Sequence, residues 1–296
     1  MKPYWKIILY IFISAFIFTF ITFFSTVSAP SIISLKITRY GYPLGWFKVV
    51  IYTVAKLPPR YTVIPVNLFV DIFFTLILSF PLTFLILNFH SNSNILLESS
   101  IYFKIFFTFS TIYLSRLVSC FVHEVLGHAL WAWIFGAEKI WFNISWMGFG
   151  WCRWIGVDNA FNAKLMVIAG GIIDTFIIGF LLLIILFKCN VMKVLSAHYI
   201  LLWFSYTMII DSLGCLVVGG LNGFGDVGII SSLTGLPTST FLIAGLILFA
   251  TLYPVFSKLF IEDSSKIFPN VDYRILLSSF WFTLPLYASL YVFSAV

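Results

Sequence analysis

Continuous apolar runs of about twenty residues recur along this chain, and they limit its fold more than any other feature. A run of that length matches the hydrocarbon core of a bilayer, about 30 Å at 1.5 Å per helical residue. Inside hydrocarbon every backbone N–H and C=O must find its partner within the protein, so only helices or a closed barrel can span. The runs are unbroken rather than short alternating strands, which selects helices. Composition agrees. Only 9% of the residues are charged and 61% are hydrophobic, against about 25% charged in a typical soluble domain. A soluble fold of this size could not hide so much apolar surface in its core.

The runs predict an all-α, polytopic transmembrane helical bundle of about seven spans (six to eight). They lie at residues 5–27, 67–89, 102–135, 165–187, 194–218, 240–260 and 275–295. The first is longer than a signal-peptide core and lacks a small-residue cleavage pattern, so it is read as a retained anchor. The segment 102–135 exceeds what a bilayer requires, so it tilts, extends beyond the membrane or divides in two. The expectation is a single integral, multi-pass membrane domain over 1–296, with the lipid bilayer as its first partner. Residues 28–65, with Gly41, Pro43, Pro58 and Pro59 as breakers, are expected to form an extramembrane loop. Residues 136–164, rich in Trp and Gly, are expected to form a small hairpin or re-entrant piece, their tryptophans an interfacial belt. The net charge of +6 fits the basic flanks of a membrane protein and does not indicate nucleic acid. Cys120, Cys152, Cys189 and Cys215 are scattered, with no C-x-x-C pair, which argues against a disulfide framework.

The third run contains Cys120-Phe-Val-His-Glu-Val-Leu-Gly-His-Ala-Leu130. His123, Glu124 and His128 interrupt an otherwise apolar segment, and the chain has only four histidines. A charge at the centre of a membrane helix costs about 2.5–3.5 kcal/mol on the most lenient scale, so such groups mark functional sites by default. Two imidazoles suit a divalent metal, zinc above all. A neighbouring carboxylate can take a proton from water activated there. The histidines stand five apart, however, not four. At about 100° per residue they point about 140° away from each other on an ideal α-helix. A π-bulge adds one residue to the turn and brings them back onto one face. Gly127, between them, lowers the cost of that distortion and allows close approach. A third ligand is sought among Asp226, Asp211 and Asp174. Asp226 lies at a Gly-rich break, whereas Asp174 and Asp211 lie within spans, with Thr175, Ser212 or Arg116 as possible partners. His90 and His198 have no comparable neighbours in sequence.

This stretch resembles the zinc helix of the site-2 proteases, intramembrane metalloproteases with the motif H-E-x-G-H. His123, Glu124, Gly127 and His128 match it with one residue inserted after the glutamate. The six-residue spacing is similar to the H-E-x-x-G-H motif of dipeptidyl peptidase III. Ala169-Gly-Gly171 and Asn222-Gly-Phe-Gly-Asp-Val-Gly228 resemble later glycine-rich segments of the site-2 family, so the resemblance runs over about 120–237. It implies a metalloprotease core at 102–237, zinc held by His123, His128 and Asp226, and Glu124 as the catalytic base. It also implies the activity of a zinc metalloendopeptidase on transmembrane or membrane-proximal protein substrates. The alternative is a non-proteolytic membrane protein. That could be an ion- or proton-coupled carrier using the histidines, Glu124, Asp174 and Asp211 as a polar pathway, or an inactive structural relative.

Overall fold

A computed structural model describes residues 26–28, 35–40, 47–52, 60–63, 69–73, 75–81, 84, 95–145, 148–188 and 194–294. The chain divides into two compact units, Met1–Ser93 and Asn94–Val296.

In the first unit, four strands form an antiparallel sheet in chain order: β1 (Thr26–Ser28), β2 (Leu35–Tyr40), β3 (Phe47–Tyr52) and β4 (Arg60–Val63). The sheet corrects the all-α expectation, for the chain is mostly helical but not wholly so. Its cause is local. Lys-Ile-Thr-Arg-Tyr, Val-Val-Ile-Tyr and Tyr-Thr-Val are rich in β-branched and aromatic residues, and Gly and Pro residues separate them in the sequence. The first expected span, at 5–27, lies outside the described residues up to position 25, and its last two belong to β1. A short apolar helical stretch, Phe69–Pro81, lies within the second, the remainder of which is largely outside the described residues.

The second unit begins with α1 (Ile95–Glu98) and α2 (Ile101–Phe121). A π-helical segment, Val122–Ala129, carries α2 without a break into α3 (Leu130–Ile134). Then come a hairpin of β5 (Lys139–Ile144) and β6 (Gly150–Ile155), α4 (Phe161–Lys188), α5 (Leu195–Asn222), α6 (Gly225–Thr234), α7 (Thr238–Ile267) and α8 (Tyr273–Ser294). Among the described residues four helices are long and apolar enough to cross a membrane: Ile101–Ile134, Phe161–Lys188, Leu195–Asn222 and Thr238–Ile267. They coincide with the expected spans at 102–135, 165–187, 194–218 and 240–260. The last expected span, at 275–295, is occupied by α8.

The centre of this unit is α5. Of its most apolar window 67% is buried, against 17% for α7, so α5 packs inside and α7 presents its side chains outward. The first half of α5 is filled with rings: Tyr199, Trp203 and Tyr206 are fully buried. Trp203 meets Phe260 of α7 edge-on at 5.4 Å, and Tyr206 lies 4.9 Å from Phe280 of α8. Ring pairs in these orientations add about 0.5–1.5 kcal/mol beyond their burial. The π segment crosses α4 without side chains between them. A Cβ on Gly127 would stand 2.6 Å from the backbone nitrogen of Gly171 and 2.9 Å from the carbonyl carbon of Gly170. Small residues at a helix crossing allow backbones to approach in this way.

Candidate metal centre

The π segment solves the problem set by the spacing of the histidines. Its hydrogen bonds close five residues apart rather than four, so positions i and i+5 occupy one face. His123 and His128 therefore meet, with ring centroids 4.9 Å apart and Nε2 atoms separated by 3.2 Å. Gly171 of α4 makes room for both rings. A Cβ there would stand 2.6 Å from Nε2 of His128 and 2.8 Å from Cε1 of His123.

A carboxylate completes the group from another element. α5 ends at Gly223 in the left-handed conformation (φ 67°), and the N–H of Gly223 donates to the Gly219 carbonyl. Gly225 is also left-handed (φ 64°), a conformation that glycine adopts freely. This turn starts α6, which seats Val227 and Ile230 on Ile168, Ala169 and Ile172 of α4. Asp226 stands in the first turn of α6, inside the helix rather than at its N-cap, which is Phe224. Its Oδ2 lies 3.2 Å from Nε2 of His123 and 3.4 Å from Nε2 of His128. Burial opposes ionisation of this carboxyl. The hydrogen bonds and charges of the two histidines outweigh burial and hold it well below the usual carboxylate range.

The three donor atoms thus form a triangle with edges of 3.2, 3.2 and 3.4 Å. Imidazole and carboxylate ligands stand about 2.0–2.2 Å from a tetrahedral divalent ion, which separates neighbouring donors by roughly 3.3–3.6 Å. The triangle fits three corners of such a tetrahedron to within about 0.2 Å, so these residues are capable of holding a metal ion. The tautomer of His128 is fixed as well. Its Nδ1 lies 2.7 Å from the carbonyl oxygen of Val167, and a carbonyl can only accept, so Nδ1 carries a proton, and in the neutral, metal-binding form of the ring Nε2 is the nitrogen with the lone pair. A backbone carbonyl in this position orients a ligating ring and raises its basicity. Trp154 stacks beside His128, centroids 6.2 Å apart.

The triad opens on a cavity of about 540 Å³, within the range of small-molecule and peptide sites. Glu124, buried, lines the same cavity, as do Trp151, Cys152 and Trp154 of β6, Ile168 of α4, and Gly214, Cys215, Val218, Gly219 and Asn222 of α5. Gly150 of β6 lies against Glu124, where a Cβ would meet its Cγ at 2.5 Å. Burial, aided by the charge of Glu124, pushes the Cys152 thiol up to about 11. The hairpin turn rests on α2: Gly148 (φ 76°) packs on the stem of Arg116, and the guanidinium lies 5.7 Å from the Phe149 ring centre.

Of the three aspartates considered from sequence, the structure brings only Asp226 to the histidines. Asp211 accepts from Nη1 of Arg116, tying α5 to α2. Asp174 accepts from Nε1 of Trp131 at 2.8 Å, tying α4 to α3. Neither lines the cavity. Two features had no signal in the sequence. The Val167 carbonyl is backbone, which any residue type supplies. His198 has a partner after all, with its Nδ1 2.5 Å from Oδ2 of Asp263 on α7, 65 positions away. Trp151 and Trp154 wall the cavity as well as belonging to the expected aromatic belt. His90 and Trp146 lie outside the described residues. No protein-family model, curated protein or solved structure matches this chain.

Proposed function

We propose that this chain is an intramembrane zinc metalloprotease, a hydrolase that cleaves peptide bonds of membrane-embedded or membrane-proximal protein substrates. The observation that carries the reading is the His123–His128–Asp226 triangle beside Glu124 in one cavity. Two imidazoles and one carboxylate leave a fourth position open, the arrangement of catalytic rather than structural zinc sites. The resemblance of His123-Glu-Val-Leu-Gly-His128 to the site-2 protease helix points the same way.

Bound zinc supplies a Lewis acid that polarises the scissile carbonyl and acidifies a water. The rest is the work of the chain. His128, its Nδ1–H held by the Val167 carbonyl, presents Nε2 as a ligand. Glu124 takes a proton from the attacking water and returns it to the departing amine nitrogen, so that water adds across the C–N bond with no net proton change. Trp151 and Trp154 line the cavity and give a substrate chain apolar surface to rest on. Asp174 and Asp211 are each engaged with a partner on another helix and stand outside the lining of the cavity, so the carrier alternative gains no support from them.

The test starts with metal content of the detergent-purified protein. About one zinc per chain is expected, lost in His123→Ala/His128→Ala. Glu124→Gln should keep the metal and abolish cleavage of a transmembrane peptide library. A metal-free wild type after zinc reconstitution would remove the reading, as would undiminished cleavage by Glu124→Gln.

A further inference from the structure

We propose that Arg116 is a positioning residue for Glu124 and acts through the tip of the β5–β6 hairpin. The proposal rests on the reading of Glu124 as the general base. Among the described residues no group donates a hydrogen bond to the Glu124 carboxylate, so its place is set by what packs on its stem. The hairpin backbone packs there. A Cβ on Gly150 would stand 2.5 Å from Cγ of Glu124 and 2.9 Å from Sγ of Cys120. One turn earlier on α2, a Cβ on Gly148 would stand 2.5 Å from Cγ and 3.3 Å from Cδ of Arg116. Arg116, Cys120 and Glu124 follow one another at four-residue intervals, about one helical turn each. The chain from Gly148 to Gly150 therefore lies along a single row of side chains.

The hairpin is held at both ends. At its base the Ala137 N–H donates to the Ala132 carbonyl of α3 at 2.9 Å, and the Asp158 N–H donates to the Phe135 carbonyl at 3.2 Å. At its tip the Phe149 N–H donates to Oγ of Ser145 at 3.1 Å, which closes the turn on itself, and the turn meets α2 at Arg116. The guanidinium is fixed in its turn by Asp211 of α5, which accepts from Nη1. A buried ion pair is weak evidence of stabilisation, because desolvation offsets the attraction. An arginine in this position adds what an apolar residue would not. Its aliphatic stem seats Gly148, and its flat cation lies 5.7 Å from the Phe149 ring centre, within cation–π range. Asp211 thus fixes Arg116, Arg116 fixes the hairpin tip, and the tip fixes Gly150 against the stem of the base.

Gly148→Ala tests the link and leaves the Arg116–Asp211 pair in place. Its methyl group would meet the Arg116 stem, and the backbone φ of 76° disfavours alanine, so the tip should lift. The full chain is loaded with zinc in detergent and assayed on a transmembrane peptide that wild type cleaves. The expected kcat falls about ten- to a hundredfold, as it does when a reacting group is slightly misplaced. KM should change by less than about threefold, and zinc content should stay at the wild-type level. Cys120, which lies under the same backbone, should react with N-ethylmaleimide about tenfold faster once exposed, read by peptide mass spectrometry. Phe149→Leu removes only the aromatic face and should show the same pattern at about threefold; it decides the matter if Gly148→Ala does not fold. His198→Gln breaks a different interhelical tie, at the other end of α5, and should leave kcat and Cys120 labelling unchanged. Unchanged kcat in both hairpin variants overturns the proposal. So does a parallel loss of zinc in Gly148→Ala, or an equal fall of kcat in His198→Gln, since either would mark a general structural effect. If wild type binds no zinc and cleaves nothing, the protease reading fails on its own account. Cys120 labelling then decides the anchor alone: faster reaction in Gly148→Ala keeps it, and the wild-type rate removes it.

Discussion

The two halves of α5 make opposite use of one helix. From Tyr199 to Leu213 its inward positions carry large side chains, and Trp203, Tyr206, Ile209 and Leu213 are almost entirely buried. From Gly214 to Asn222 the positions that face the cavity, Gly214, Cys215, Val218, Gly219 and Asn222, carry smaller side chains and are partly or fully exposed. The first half joins helices by filling space. The second keeps space empty so that polar atoms from four elements can converge. A helix can therefore serve as core and as cavity wall at once, provided that bulk is confined to one end.

The contrast is open to attack from either end. Trp203→Ala should cost about 3–5 kcal/mol, as large-to-small changes at buried rings do, read as a fall in thermal stability in detergent. Metal content per folded chain should not change. A proportional loss of metal would mean that the two halves are not separable. Gly171→Val should have the converse effect. It adds carbon where the imidazoles stand, so metal affinity is expected to fall more than a hundredfold, about 2.8 kcal/mol. The overpacking itself costs about 1–3 kcal/mol. Wild-type affinity in that variant would show that the rings do not need the space. Asp174→Asn weakens one hydrogen bond with Trp131 and should cost about 1 kcal/mol with metal content intact. If Asp174→Asn loses the metal while Asp226→Asn keeps it, the ligand assignment is wrong. The smallest effect concerns Cys152. Because burial and then the charge of Glu124 raise its thiol to about 11, alkylation at pH 7.5 should be slow. The rate should climb about tenfold per pH unit while the thiol remains mostly protonated. Rapid labelling at neutral pH would place the thiol in an open, polar setting instead.

What could be read from the sequence followed the physics of each signal. The spans at 102–135, 165–187, 194–218 and 240–260 were legible because length and apolarity are local properties. The histidine pair was legible because ionisable groups in an apolar run are costly, and five-residue spacing leads to a π turn by geometry. The choice among Asp226, Asp211 and Asp174 was not legible. It depends on how α4, α5 and α6 pack, and each aspartate has local residues that explain it equally well. The same limit hid His198 and Asp263, which are brought together only by the pairing of α5 with α7. The sheet at residues 26–63 was missed for another reason. Gly and Pro residues mark a loop by composition, whereas here they separate short strands whose β-branched residues carry the signal.

The π segment has a consequence beyond the pair of rings it aligns. On an ideal α-helix one additional residue would advance everything downstream by about 100° around the axis; the wider π turn takes that residue up instead. The long helix therefore keeps one phase across the motif. Arg116, before the π turn, engages Asp211 on α5, and Trp131, after it, engages Asp174 on α4. Deleting Val125 should close the turn to an ordinary α-helix, give the histidines four-residue spacing and leave Trp131 facing Asp174. The inserted residue is a length absorbed where it stands, and the rest of the unit does not register it.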